Sequence, residues 1–137
     1  MADDAERVLT GGCLCGGLRY RATGAPAYAG LCHCEDCQKS SGSAFAPFMG
    51  YPLARFSFSG PASHYDHRLK DGRTSRRNFC PTCGSTVFGG GEDEEVTIYA
   101  GSLDDPALFV PRMQIFCSNR REWAHIVPGS LREFDEM

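Results

Sequence analysis

No stretch of the sequence approaches the roughly 20 consecutive apolar residues that a membrane-spanning helix requires, so no such helix is expected. Positive charge is not in surplus. Fourteen Lys and Arg stand against seventeen Asp and Glu, a net charge of −3, and the pI is about 5.8. That balance argues against a general electrostatic grip on nucleic acid or on an anionic membrane. Internal repeats, low-complexity tracts and linkers are missing, and helical periodicity is weak. The first ten residues are acidic and lack an apolar core, so no export signal is expected and the cytoplasm is the expected location. A chain of 137 residues, 42% hydrophobic and 23% charged, is of the size and composition of one globular domain.

What is present reads as short strands. Residues 17–22 alternate apolar and polar, and residues 44–49, 54–58, 74–79, 86–88, 95–100 and 112–117 are also strand-like. Glycine and proline punctuate them, among them Gly24, Pro26, Gly50, Pro52, Gly60, Pro61, Gly72 and the triplet at 89–91. Many short strands at this spacing predict a mostly antiparallel β domain. Helix is expected only as turns, at 34–41, at 104–109 behind an Asp-Asp-Pro entry, and at 120–124. The acidic run at 92–95 reads as a solvated hairpin tip.

Eight cysteines are the most informative feature. Without an export signal, that density points to metal ligands before disulfides. Cys80-Pro81-Thr82-Cys83-Gly84 has the form of a zinc knuckle. Pro81 sets the turn, and Gly84 can adopt the left-handed conformation that aims backbone N–H groups at the sulfurs. A closed zinc site takes four ligands. Cys13 and Cys15 can supply the other two, because residues i and i+2 of an extended segment share a face. The third group is Cys32-His33-Cys34-Glu35-Asp36-Cys37. Three cysteines with no obvious fourth ligand form the pattern of a catalytic zinc with an open position. They can also join the other four in one cluster, or lie in the core as reduced thiols. His33, between two cysteines, is expected to face away from them, behind the ligands or at the surface. Cys117, in the apolar stretch 115–117, is expected to be a buried, inert thiol.

A zinc held by three thiolates is a weak Lewis acid and a poor source of hydroxide. It is better suited to accept a substrate thiol as fourth ligand and keep it nucleophilic. Attack of that thiol on a small aldehyde is the natural reaction for such a site.

The ordered motifs Gly-Gly-Cys-Leu-Cys-Gly (11–16), Cys-His-Cys-Glu-Asp-Cys-Gln-Lys-Ser-Ser-Gly (32–42), Phe-Cys-Pro-Thr-Cys-Gly-Ser (79–85) and Ala-Gly-Ser-Leu-Asp-Asp-Pro (100–106) resemble the glutathione-dependent formaldehyde-activating (GFA) family, which includes centromere protein V. The stretch 118–126, with Trp123, resembles it too. The resemblance implies a β-tent of small antiparallel sheets around a structural zinc on Cys13, Cys15, Cys80 and Cys83. It implies a second, catalytic zinc on Cys32, Cys34 and Cys37, hence two zinc ions per chain. It also implies a carbon–sulfur lyase that joins glutathione to formaldehyde, giving S-(hydroxymethyl)glutathione. Residues 9–137 would form one such domain, behind a disordered acidic leader at 1–8. The family often has Arg after the last catalytic cysteine, where this chain has Gln38.

The expected partners are therefore a small thiol and a small aldehyde. Glutathione has two carboxylates, for which Arg73, Arg76, Arg77, Lys39 and Arg55 are candidates by type. Ser40, Ser41 and Ser43 can donate to a forming alkoxide, or serve as turn caps. The competing functions are a zinc-dependent binding module without catalysis, such as a scaffold or chromatin factor, and a redox-responsive zinc protein.

Overall fold

A computed structural model describes residues 7–124 and 131–137. It is mostly β with short helical turns, as the strand pattern predicts. Eleven strands are present among the described residues: β1 Val8–Gly12, β2 Arg19–Thr23, β3 Tyr28–Cys32, β4 Ala46–Pro52, β5 Phe56–Ser59, β6 Ser63–Arg68, β7 Thr74–Phe79, β8 Thr86–Gly90, β9 Glu95–Tyr99, β10 Met113–Ile115 and β11 Arg132–Glu133. One helix of seven residues, α1 Glu35–Ser41, lies between β3 and β4.

The strands form two sheets. A three-stranded antiparallel sheet runs β1-β2-β5, and an eight-stranded sheet runs β11-β10-β3-β4-β9-β8-β7-β6. The larger sheet is antiparallel except that β10 lies parallel to both β3 and β11. The core sits between the sheets. Leu9, Tyr20 and Ala22 face Met49, Tyr51, Val87, Phe88, Val96 and Ile98. Strand periodicity explains why: β1, β2 and β9 bury alternate residues, so one face of each is apolar. Strand β4 is buried over most of its length, because it is central in the sheet, between β3 and β9. An aromatic seam joins the sheets, with Phe56 and Phe88 ring centroids 4.9 Å apart and Tyr20 stacked on Phe56 at 5.8 Å.

Several boundaries differ from expectation. The leader at 1–8 falls mostly outside the described residues, but Val8 opens β1 and Leu9 is fully buried. Residues 104–109 form only a single 3-10 turn, Pro106–Leu108, capped by Asp105. The strand expected at 112–117 ends at Ile115. Phe116 then takes a left-handed conformation at φ 55°, and Cys117 starts a 3-10 turn. Cys117 is therefore half-buried rather than sealed in a strand. No helix among the described residues is long and apolar enough to cross a membrane.

Candidate metal centres

The first cysteine group is assembled by two turns 65 residues apart in sequence. Cys13 and Cys15 follow β1, while Cys80 and Cys83 occupy the connection from β7 to β8. Gly16 (φ 81°) and Gly84 (φ 78°) both sit one residue beyond the second cysteine of their pair. Their left-handed backbone closes each turn, with Gly16 N–H donating to Cys13 O (3.1 Å) and Gly84 N–H to Cys80 O (2.8 Å). The four sulfurs lie within 4.8 Å of one another. Cys13 to Cys15 is 3.6 Å and Cys15 to Cys80 is 3.7 Å. A tetrahedron with metal–sulfur bonds of about 2.3 Å has edges of about 3.8 Å, so these two spacings match a zinc ion's ligand set.

Backbone and hydroxyl donors point at these sulfurs. Leu18 N–H donates to Cys13 Sγ at 3.2 Å and pulls that thiol below its ordinary pKa. Ser85, through its hydroxyl at 3.2 Å and its N–H, lowers Cys83 to about 5. Both effects favour the thiolate, the form a metal takes.

The second group is local. Cys32 ends β3, Cys34 is the N-cap of α1, and Cys37 lies in the first turn of that helix. Their sulfurs also lie within 4.8 Å of one another, separate from the other four. The single merged cluster therefore does not form, and Cys117 joins neither group. Cys34 Sγ accepts from Cys37 N–H at 3.3 Å. Hydrogen bonds from the Cys32 and Cys37 thiols hold Cys34 far below the ordinary thiol pKa, against burial, with help from the Arg77 charge. Cys32 is pushed strongly up by Cys34 and Cys37 and by burial. Three sulfur donors fit a tetrahedral metal with one position left over.

His33 faces away from the sulfurs and is fully buried, not at the surface. Its Nε2 lies 2.8 Å from Gln114 Oε1 on β10, and its ring packs against Phe45. Gln38 ties the same loop to the C-terminal segment. Its Nε2 donates to His33 O (2.7 Å) and Asn119 O (3.0 Å), while its Oε1 accepts from Arg121 Nε (2.7 Å). Both contacts fix the backbone that presents Cys32 and Cys34.

A cavity of about 870 Å³ opens beside this group, with Cys32 and Cys37 in its wall. Of the candidate cations, Arg77 is the one set against the sulfurs. Its Nε donates to Ser40 Oγ at 2.9 Å, and its charge interacts with Cys37 and Cys34. Burial works against its charge, but Tyr99, Cys37 and Cys34 outweigh that and raise its pKa. Tyr99, which sequence reasoning did not single out, is raised to about 12, chiefly by burial. Arg73 and Arg76 line the cavity but are paired with Asp71 and Asp66. Lys39 pairs with Glu35 in solvent, and Arg55 packs by Gly24, away from the cavity. Ser40, Ser41 and Ser43 line a smaller cavity of about 460 Å³ that shares Ala46 and Tyr99 with the larger one. Ser41 donates to Cys37 O at 2.6 Å, a helix-end bond. The acidic run is exposed as expected, yet Glu92, Asp93 and Glu95 also rim the larger cavity.

The fold is a mostly-β domain that carries two separate cysteine groups, each able to hold a metal ion. The chain belongs to the glutathione-dependent formaldehyde-activating enzyme family, whose model matches residues 8–119. The motif at 100–106 is thus inside the match, while the tail beyond 119 is not, and residues 125 and 126 lie outside the described residues. Among solved structures, the crystal structure of a Rhodobacter sphaeroides protein, a structural genomics target, is similar with a TM-score of 0.51 and 19% identity. The similarity covers 69% of this chain and 87% of that one, and it shows a shared fold. No curated protein matches the chain.

Proposed function

We propose that the protein is a zinc-dependent carbon–sulfur lyase that joins a small thiol, glutathione by family, to a small aldehyde. Cys13, Cys15, Cys80 and Cys83 hold a structural zinc in this reading, and Cys32, Cys34 and Cys37 hold a catalytic one. The observation that carries the reading is the contrast between the two sulfur groups. Four sulfurs complete one ligand set, whereas three leave a position free beside a cavity of about 870 Å³. When bound, the second zinc supplies the Lewis acidity that keeps an incoming thiol deprotonated. The chain's own residues do the rest. Arg77 offsets the surplus negative charge of three thiolates, and the cavity walls hold the second reactant close, so that addition becomes a local event. The reading places the protein in the cytoplasm, where its thiols stay reduced.

The test is metal content followed through mild chelation. Fully reduced, zinc-supplemented protein is expected to carry about two zinc ions and to fall to about one, with activity lost in step, because a closed structural site holds its metal as part of the fold. One zinc from the outset sinks the two-site assignment.

Arg77 gives a second expectation. Arg77→Gln removes the positive charge beside Cys34 and Cys37 without adding bulk. Zinc affinity at the three-cysteine site should weaken about 10-fold, the scale of outer-sphere substitutions at metal sites. Competition with a chromophoric chelator measures it, and an unchanged affinity would remove Arg77 from this role.

A further inference from the structure

The walls of the larger cavity do not match formaldehyde. The cavity lies on the face of the eight-stranded sheet that points away from the core. Strand register lays out that face. Ile115, Cys32 and Ala46 stand side by side, then Met113, Gly30, Phe48 and Tyr99, then Tyr28, Gly50 and Thr97. Next to the sulfurs this floor is apolar and aromatic; Arg77 is the charge set beside the sulfurs, and the other charged lining residues, Arg73, Arg76, Glu92, Asp93 and Glu95, lie beyond it.

Two glycines make this floor possible. A Cβ on Gly30 would fall 2.7 Å from Met113 Cγ and 3.0 Å from Phe48 Cζ. A Cβ on Gly50 would fall 2.2 Å from Tyr28 Cζ and 2.5 Å from Tyr28 Cε1, against the ring. Tyr28 and Phe48 meet edge to face at 5.8 Å across this gap. Without side chains at 30 and 50, the Tyr28 and Phe48 rings and the Met113 thioether pack directly over the glycine backbone. The cavity that they line, of about 870 Å³, has Cys32 in its wall. A two-heavy-atom aldehyde needs about 60 Å³, judged from the roughly 30 Å³ share of a water molecule. Cavities of about 300–1,000 Å³ hold drug-sized ligands. Glutathione is polar and charged at both ends, so it does not account for an apolar floor beside the reacting sulfur.

We propose that Tyr28, Phe48, Tyr99, Met113 and Ile115 form a subsite for the apolar substituent of an aldehyde larger than formaldehyde, of the aryl-alkyl or branched-alkyl class. The proposal rests on the reading that the three-cysteine site takes a thiol. The reaction is RSH + R′CHO giving RS–CH(OH)R′. A carbon–sulfur bond forms, the C=O π bond breaks, the thiol proton ends on the new hydroxyl, and nothing is oxidised or reduced. R′ lies over the floor in the product.

The experiment has two arms, both on the zinc-loaded protein. Calorimetric titration compares S-(2-phenylethyl)glutathione with S-methylglutathione, unreactive analogues of the phenylacetaldehyde and formaldehyde adducts. The phenylethyl compound is expected to bind about 10-fold tighter or more, from apolar burial. Met113→Gln, close in size but polar, should cut that preference about 3-fold or more. Adduct formation from glutathione with phenylacetaldehyde and with formaldehyde is then followed by NMR, with a higher kcat/KM expected for phenylacetaldehyde. Equal affinity, a preference for the methyl compound, or binding of neither overturns the subsite. Faster turnover of formaldehyde overturns it too, while leaving the lyase intact. A phenylethyl preference lost in Met113→Gln, with neither aldehyde turned over, sustains the apolar subsite and sinks the lyase reading instead.

Discussion

Cys80→Ser should leave the chain unfolded or insoluble, while Cys34→Ser should fold and lose only its second metal. Cys80 is 1% exposed and packs in the core cluster, and its partners Cys13 and Cys15 lie between β1 and β2 of the small sheet. A metal there joins the start of the three-stranded sheet to the β7–β8 connection, two segments otherwise linked near the site by single bonds such as Leu14 N–H to Ser85 Oγ at 3.0 Å. Structural zinc in comparable peptide sites supplies on the order of 10 kcal/mol. Whole domains are stable by only about 5–15 kcal/mol, so loss of that metal decides folding. Cys80 is also a core side chain, and Cys15→Ser separates the two contributions. Cys15 is exposed, so its replacement removes a donor without touching the core. Cys34 caps a single seven-residue helix that buries no residue of its own, so the fold loses little with it. Circular dichroism, thermal melts and zinc content read all three variants. If Cys34→Ser melts as easily as Cys80→Ser, both groups are structural. If Cys15→Ser keeps wild-type stability, the first group is not a folding element.

The cysteine groups were legible because their chemistry is written in spacing alone. C-x-C shares a face, a helical turn brings Cys37 back to Cys34, and a proline–glycine turn closes the knuckle. Strand β7 is found where the sequence reads as strand-like, at 74–79. Other elements leave no such trace. Strand β6 is polar on both faces because it is an edge, so alternation cannot reveal it. Strand β3 is buried along nearly its whole length and carries a glycine, so it lacks a period-two pattern. The burial of His33 depends on Gln114, 81 residues away, through a parallel pairing that local sequence does not encode. Arg77 differs from its neighbour Arg76 only by strand parity. Arg76 reaches Asp66 across the hairpin, and Arg77 points to the sulfurs. Gly50 reads as punctuation in the sequence, yet it sits mid-strand, and like Gly30 in β3 its missing side chain leaves room for a ring.

Cobalt in place of zinc should report a thiol entering the three-cysteine site. Three sulfur donors make a metal a weak acid toward water, so a thiol is the expected fourth partner. Adding glutathione, or another small thiol, to cobalt-loaded protein should shift the ligand-field bands. The Cys34→Ser protein should show no such shift, since the site has lost a donor. The thiol gives up its proton on binding. Apparent affinity should therefore rise about tenfold per pH unit below the free thiol's pKa, near 8.5, and level off above it. The sign follows from the thiolate being the form that binds. Adding aldehyde to the thiol-loaded protein should then yield the S-hydroxyalkyl adduct about 100-fold faster than in buffer, a modest share of what fixed proximity can supply. Arg77 and Tyr99 flank the sulfurs and line the same cavity, so positive charge and a phenolic hydroxyl lie within reach of the new alkoxide. Several thiols belong in the trial, because the family name alone points to glutathione. If no small thiol moves the cobalt bands and no thiol–aldehyde pair is accelerated by reduced, two-metal protein, the lyase reading gives way to a zinc-stabilised binding module.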